Sequence, residues 1–173
     1  MLRSFRLGSA FGIPLFIHST FLLLPAWVLF NATLLAWHIP ALYGATLTSG
    51  TVHALEHAMF FFTGLLFWAW VIDPGPLRGR PAWPLRIAYT AGAMVVGWML
   101  AITLVLVPHP IYSYYANLAV RPGGISALTD QQFAAGMMWV PGSISYTITF
   151  LIGFYRWLDG DPLSNPPRPA VTT

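Results

Sequence analysis

Long apolar runs, separated by proline, glycine and arginine, divide the chain into four segments. Each run is about as long as the ~20 residues that an α-helix needs to cross a bilayer. The runs extend from about Ile13 to Trp37, His53 to Ile72, Ile87 to Val107 and Gln131 to Trp157. The pattern predicts an all-α, polytopic membrane helix bundle with about four transmembrane helices. Pro25 lies within the first run and is expected to kink that helix.

The composition agrees with this prediction. Hydrophobic residues make up 57% of the chain and charged residues only 8%, which is not typical of a soluble globular domain. The absence of cysteine excludes disulfides and thiolate metal sites. The apolar runs predict a lipid bilayer as partner. The net charge of +3 comes from arginines in the connections, so it bears on the membrane topology and does not indicate a nucleic-acid partner.

The arginines also predict an orientation. Seven of them lie on what would be one side of the membrane. Arg3 and Arg6 precede the first run, Arg78, Arg80 and Arg86 lie between the second and the third, and Arg156 and Arg168 lie at the C-terminal end. The other two connections hold only Arg121. Because positively charged connections stay inside, we expect both termini in the cytoplasm. The proline-rich, polar residues 159–173 are expected to form a disordered cytoplasmic tail.

Histidines gather at the ends of the runs that this orientation places outside. His38 ends the first run, His109 follows the third, and His53 and His57 open the second. His53 and His57 lie one helical turn apart on the same face, with Glu56 at its edge. Such a pair can bind one metal ion, and the carboxylate can bind as well or orient an imidazole. Ionisable residues inside a membrane span usually indicate function.

The fourth run contributes further candidate ligands. Asp130 is expected to share a helix face with Met137, and Met138 is adjacent. Histidine and methionine without cysteine favour copper over zinc. The candidate metal ligands are therefore His53, His57, Glu56, His38, Met138, Met137 and Asp130. The alternatives are that the methionines only pack in the bundle and that His38 is an ordinary interfacial residue.

Four stretches resemble the polytopic CtaG family of cytochrome c oxidase assembly factors, within about residues 34–158. They are WHIPALYGATL (37–47), HALEHAMFFFTGLLFWAWVIDP (53–74), HPIYSYY (109–115) and ISALTDQQFAAGMMWVPG (125–142). The resemblance implies a plasma (inner) membrane protein of the respiratory chain that helps to build haem-copper oxidase, with oxidase subunits as partners and copper handled on the outer face. The family's polar motif residues fall on His38, His53, Glu56, His57, Asp130, Gln131 and Met138.

The first 33 residues depart from this family. Its members usually have further N-terminal spans, one of them with a His-Met-x-x-His type motif that this sequence does not contain. The stretch RSFRLGSAFGIPLFIHSTFLLLPAWVLF instead resembles the first span of site-2 protease family membrane metalloproteases. The expected domains are a protease-like leader (1–33), a CtaG-like helical membrane domain (34–158) and the tail (159–173).

Other functions are compatible with the same residues. His53-x-x-Glu56-His57 has the H-x-x-E-H form of an intramembrane zinc metallopeptidase, for which Asp130 would supply the third ligand. His57 together with His38 or His109 could instead ligate a haem between the spans. A scaffold or truncated remnant without a bound ligand is the third alternative. We expect an assembly factor without catalytic residues, and the sequence leaves homo-oligomerisation open.

Overall fold

The structure is a computed structural model that describes residues 4–10, 13–72, 81–120 and 122–160. The elements are β1 (Ser4–Ala10), β2 (Ile13–His18), α1 (Leu23–Trp37), α2 (Pro40–Thr48), α3 (Gly50–Val71), α4 (Trp83–Leu106), α5 (Ser113–Ala116), α6 (Ala127–Trp139) and α7 (Ile144–Leu158). A turn of 3₁₀ helix precedes α1 and another joins α6 to α7. Apart from the two strands the described elements are helical, and the predicted helix bundle with membrane-spanning candidates is confirmed. Of the expected tail, residues 161–173 lie outside the described residues.

Among the described residues, three helical units are long and apolar enough to cross a membrane. They are α3 with 22 residues, α4 with 24 and the combined unit Ala127–Leu158 with 32. These units correspond to the second, third and fourth apolar runs. The sequence predicted four spans. The fourth is present only if α1 and α2 together form one broken span, and the axes of these two helices differ in direction by 73°.

The N-terminal part of the first run is a strand, not a helix. β1 and β2 form an antiparallel hairpin in which Ser4 pairs with His18 and Ala10 with Ile13. The prediction that the first helix begins near Ile13 is therefore wrong, because α1 begins at Leu23. Pro14 is the second residue of β2. A proline disfavours the helical conformation for the residue before it, here Ile13. A short apolar run does not by itself distinguish a strand from a buried helix.

Pro25 does not kink the helix. It is the third residue of α1, where a helix does not use the backbone N–H that proline lacks. The bend lies further on, at Ile39, whose backbone is extended (φ −65°, ψ 128°). Pro40 follows directly, and the residue before a proline avoids the helical region. Thus α2, which the sequence placed in a connection, leaves α1 at a steep angle.

One end of the bundle, here called the arginine end, contains the start of α4 and the last turn of α3. The side chain of Arg86 is 4% exposed and donates hydrogen bonds to the carbonyl oxygens of Pro81 (3.0 Å) and Val71 (3.2 Å). Arg86 therefore satisfies a carbonyl that the C-terminus of α3 leaves without a helical partner. Close by, the rings of Phe67 and Tyr89 stack at 4.6 Å within the buried core.

The opposite end, here called the polar end, brings together the end of α1, α2, the last turn of α4 and the start of α6. The rings of Tyr43 on α2 and Tyr112 after α4 lie 4.3 Å apart. Gln131 of α6 donates to the carbonyl of Leu104 near the end of α4 (3.0 Å). The first turns of α3 belong to the same end, because Glu56 acts electrostatically on Tyr43. The predicted ligands lie here.

Gly153 allows α7 to pack closely against α4. A Cβ atom at this position would lie 3.0 Å from Cγ1 of Ile87 and 3.4 Å from a ring carbon of Trp83. We expect Gly153→Ala to lower the free energy of unfolding by about 1–3 kcal/mol through overpacking, measured by thermal unfolding in detergent. Gly97→Ala is the control, because its Cβ would have no neighbour within 4 Å. An equal loss in both variants would contradict this explanation.

Candidate metal-binding site and polar cavity

His53, Glu56 and His57 form a compact cluster on α3. Each offers a ligand atom, and these atoms all lie within 4.8 Å of one another. The two imidazole rings stack with centroids 4.6 Å apart and planes 14° apart. In the part of the chain that the structure describes, no other group of three His, Asp or Glu side chains is as close. The structure thus brings together the three residues that helical spacing placed on one face.

The local sequence explains why this cluster lies near the N-terminus of α3. Ser49 caps α3, and its hydroxyl accepts from the backbone N–H of Val52 (3.5 Å). The cluster therefore lies within the first turns of the helix, where the positive end of the helix dipole disfavours a cation. The carboxylate of Glu56 offsets that effect. Both imidazoles are exposed and Glu56 is half-buried, so no other part of the described chain covers the two histidines.

A cavity of about 250 Å³ lies at the polar end and is lined by residues of α2, of α6 and of the connection between α4 and α6. Four of the residues that line it are polar motif residues identified from the family resemblance, namely His38, Asp130, Gln131 and Met138. The structure therefore places the predicted ligands in two locations. Neither His38 nor Asp130, which the sequence named as candidate ligands, belongs to the cluster on α3.

His38 is held in one orientation at the bend between α1 and α2. Its Nδ1 lies 2.7 Å from the carbonyl oxygen of Leu34. A carbonyl oxygen only accepts, so Nδ1 carries a proton, and in the neutral ring the lone pair is on Nε2. The backbone carbonyl of His38 accepts from the hydroxyl of Tyr112 (3.3 Å). Burial raises the pKa of Tyr112, which keeps this hydroxyl protonated as a donor.

Gln131 joins three parts of the polar end. Its side chain is 8% exposed, its Oε1 accepts from the backbone N–H of Ile111 (2.7 Å), and its Nε2 donates to the carbonyl of Leu104 (3.0 Å). Both ends of the amide are thus used to hold α6 against α4 and the connection that follows α4. Gln131 is a positioning residue, which only the family resemblance had singled out.

The two adjacent methionines have different surroundings. Met138 lines the cavity together with Asp130, whereas Met137 is 52% exposed and is not a lining residue. Of the two methionines that the sequence offered as candidate ligands, Met138 is therefore the one at the cavity. His109, in the connection after α4, is exposed and belongs to neither location.

Tyr43 links the two locations and was not among the predicted site residues. Its ring lines the cavity, its hydroxyl hydrogen-bonds to Tyr115, and the charge of Glu56 acts on it. Its element, α2, could have been recognised from Pro40, because proline is frequent in the first turn of a helix. The half-buried rings of Tyr112 and Tyr115 thus contribute to packing around the cavity.

Two alternative chemistries find little support in this geometry. A zinc peptidase with an H-x-x-E-H motif requires a further ligand, and Asp130, the residue expected to supply it, is not in the cluster. A haem between His57 and His38 would need a larger space, since the cavity of about 250 Å³ is below the usual size of pockets for drug-sized ligands.

The comparisons with known proteins give one match. The model of the cytochrome c oxidase caa3 assembly factor family (Caa3_CtaG) matches residues 13–160. The matched region contains helices α1 to α7, the cluster on α3 and the cavity, and it begins nearer the N-terminus than the resemblance at 34–158. Searches of curated proteins and of solved structures found no match.

Proposed function

The chain belongs to the cytochrome c oxidase caa3 assembly factor family, and we propose that it captures copper in the plasma membrane and delivers it to a haem-copper oxidase during assembly. The observation that carries this proposal is the cluster of ligand atoms from His53, Glu56 and His57 within 4.8 Å. Copper is the cargo in this proposal. The protein binds and releases it, and no residue acts as a catalyst.

The chemistry of the cluster suits temporary binding of copper. Imidazole binds copper in both of its common oxidation states, and a carboxylate contributes negative charge. All three ligands come from one helix, so coordination positions on the ion remain open to a donor or a recipient. Both histidines are exposed, which gives an oxidase subunit direct access. A site of this kind captures an ion and also releases it.

We further propose that the polar end faces the outside of the cell and that both termini are cytoplasmic. The support is the distribution of arginines between alternate connections. In this orientation the cluster on α3 and the cavity face the outer side, and Arg86 and the arginine end face the cytoplasm. Copper capture and delivery would then take place on the outer side of the membrane.

This orientation can be tested by labelling, because the chain has no cysteine. We expect Val120→Cys to react with a membrane-impermeant maleimide in intact cells, since Val120 lies between α4 and α6 and is 86% exposed. We expect Asp159→Cys, just after α7, to react only after the cells are opened. The reverse pattern of labelling would refute the proposed orientation.

The proposed function is tested by deleting the gene in its host and restoring it on a plasmid. We expect the deletion to lower the copper content and activity of the oxidase, and the unaltered protein to restore both. The variant His53→Ala/His57→Ala should not restore them when present at the same level, whereas Leu55→Ala, at an exposed position on α3, should. Unchanged oxidase after deletion would refute the assembly role, and full rescue by the double variant would refute the role of the cluster.

A further inference from the structure

We propose that the cavity at the polar end is a second copper site, in which the half-buried side chains of His38 and Met138 bind Cu(I) and Asp130 balances its charge. This inference rests on the proposed function, because it gives the copper captured at the cluster on α3 a place to be held. It assigns the two locations different tasks. The exposed cluster captures the ion and the cavity retains it until delivery.

The hydrogen bond of His38 prepares its ring for a metal. Metal-binding histidines almost always donate their other ring N–H to a backbone carbonyl, a carboxylate or water, which fixes the ring and the tautomer. Here Nδ1 donates to the carbonyl of Leu34 at 2.7 Å. Nε2 is then the ligand atom of a ring that already lines the cavity.

The groups that line the cavity favour a soft cation. The donors of Gln131 and Tyr112 are used in hydrogen bonds to backbone carbonyls. For Nε2 of His38, the sulfur of Met138 and the carboxylate of Asp130, the described part of the chain provides no hydrogen-bond partner. All three are electron-pair donors, and a thioether selects Cu(I).

Charge points to the same class of ligand. Of the described residues that line the cavity, Asp130 is the one with a formal negative charge, and none is lysine or arginine. A single carboxylate balances a single positive charge, so a Cu(I) ion leaves the site neutral. Such neutrality matters because an uncompensated charge is costly where burial removes part of its hydration.

The size of the cavity suits transfer of the ion by ligand exchange. A volume of about 250 Å³ corresponds to roughly eight waters at ~30 Å³ each, far more than one copper ion needs. The remaining space admits a ligand side chain from a recipient protein. Copper stays Cu(I) throughout, because each step only replaces one ligand by another.

Tyr43 relates the two locations to each other. Its ring lines the cavity, and the charge of Glu56 in the cluster acts on it. α2, which carries Tyr43, packs against α3, which carries the cluster. The two locations therefore lie at the same end of the bundle.

The test uses the purified full-length protein with Cu(I) supplied as its bicinchoninate complex under anaerobic conditions. We expect the unaltered protein to bind two copper ions per chain and His53→Ala/His57→Ala to bind one. X-ray absorption of that remaining ion should show a sulfur ligand. Met138→Leu, which nearly conserves volume, should remove the sulfur signal, whereas Met137→Leu, at the exposed neighbour, should leave it intact.

The outcomes separate this inference from the proposed function. A single copper ion without sulfur, lost in His53→Ala/His57→Ala, would refute the cavity site and leave the cluster on α3 standing. A single ion with a sulfur ligand that only Met138→Leu removes would support the cavity and refute the cluster. A sulfur signal that Met137→Leu removes would refute the assignment of Met138. No bound copper at all would overturn both proposals.

Discussion

Replacing His53 and His57 together with alanine is expected to weaken copper binding at the cluster on α3 by more than about 100-fold. The loss of an outer-shell partner alone typically costs about 10–100-fold in metal affinity, and this variant removes two direct ligands. The measurement is competition with a copper chelator on purified protein. It is made in the Met138→Leu background, so that the cluster is the site observed.

Glu56→Gln refines this prediction, because it keeps the shape of the side chain and removes its charge. We expect an affinity loss of about 10–100-fold, smaller than that of the double variant. Leu55→Ala alters a neighbouring exposed residue of the same helix and should leave affinity unchanged. Wild-type affinity in His53→Ala/His57→Ala would contradict the assignment. Retention of zinc in preference to copper would favour the peptidase chemistry.

The cluster on α3 was predictable because it depends on local geometry alone. In a helix, residues at i, i+3 and i+4 lie on neighbouring faces whatever the rest of the protein does. The long apolar run identified the helix, and its observed bounds, Gly50–Val71, lie close to the predicted ones. The sequence therefore sufficed for the identity and the relative placement of His53, Glu56 and His57.

The cavity was not predictable in the same way, since it depends on contacts between distant segments. His38 comes from the bend after α1, Met138 from α6 and Tyr43 from α2. Their meeting requires the angle at Ile39 and the hydrogen bonds of Gln131. The hydrophobic pattern of the sequence specifies neither of these features. The sequence therefore identified most of the polar residues of the cavity but did not show that they form a site separate from the cluster on α3.

The points that the sequence left open or predicted wrongly also have physical reasons. On α6 both Met137 and Met138 were candidate ligands, and Met138 is the one that lines the cavity with Asp130. Residues seven and eight positions apart both lie near the same face of a 3.6-residue helix, and the choice depends on how the helix is rotated against α4. At the N-terminus, the apolar run continued across the change from strand β2 to helix α1, so hydrophobicity alone did not indicate the boundary.

The second large effect concerns Gln131, which holds α6 in this rotation. Gln131→Leu removes two hydrogen bonds and leaves the N–H of Ile111 and the carbonyl of Leu104 without the partners that Gln131 now provides. An unsatisfied buried polar group costs about 1–3 kcal/mol, so we expect the free energy of unfolding to fall by about 2–4 kcal/mol. Gln131→Glu should lose less, since its carboxylate still accepts from Ile111. Thermal unfolding in detergent gives both values.

Gln132 is the matched control, because it differs from Gln131 mainly in exposure. Its Nε2 donates to the carbonyl of Val105 at 3.0 Å, but the side chain is exposed. Water can therefore replace that bond, and Gln132→Leu should lower the free energy of unfolding by no more than about 1 kcal/mol.

Gln131→Leu should also weaken Cu(I) retention in the cavity, because the distance from α6 to His38 is no longer held. Copper binding by the cluster on α3 should not change. If both variants lose the same stability, or if Gln131→Leu affects the cluster as strongly as the cavity, Gln131 does not have the positioning role assigned to it.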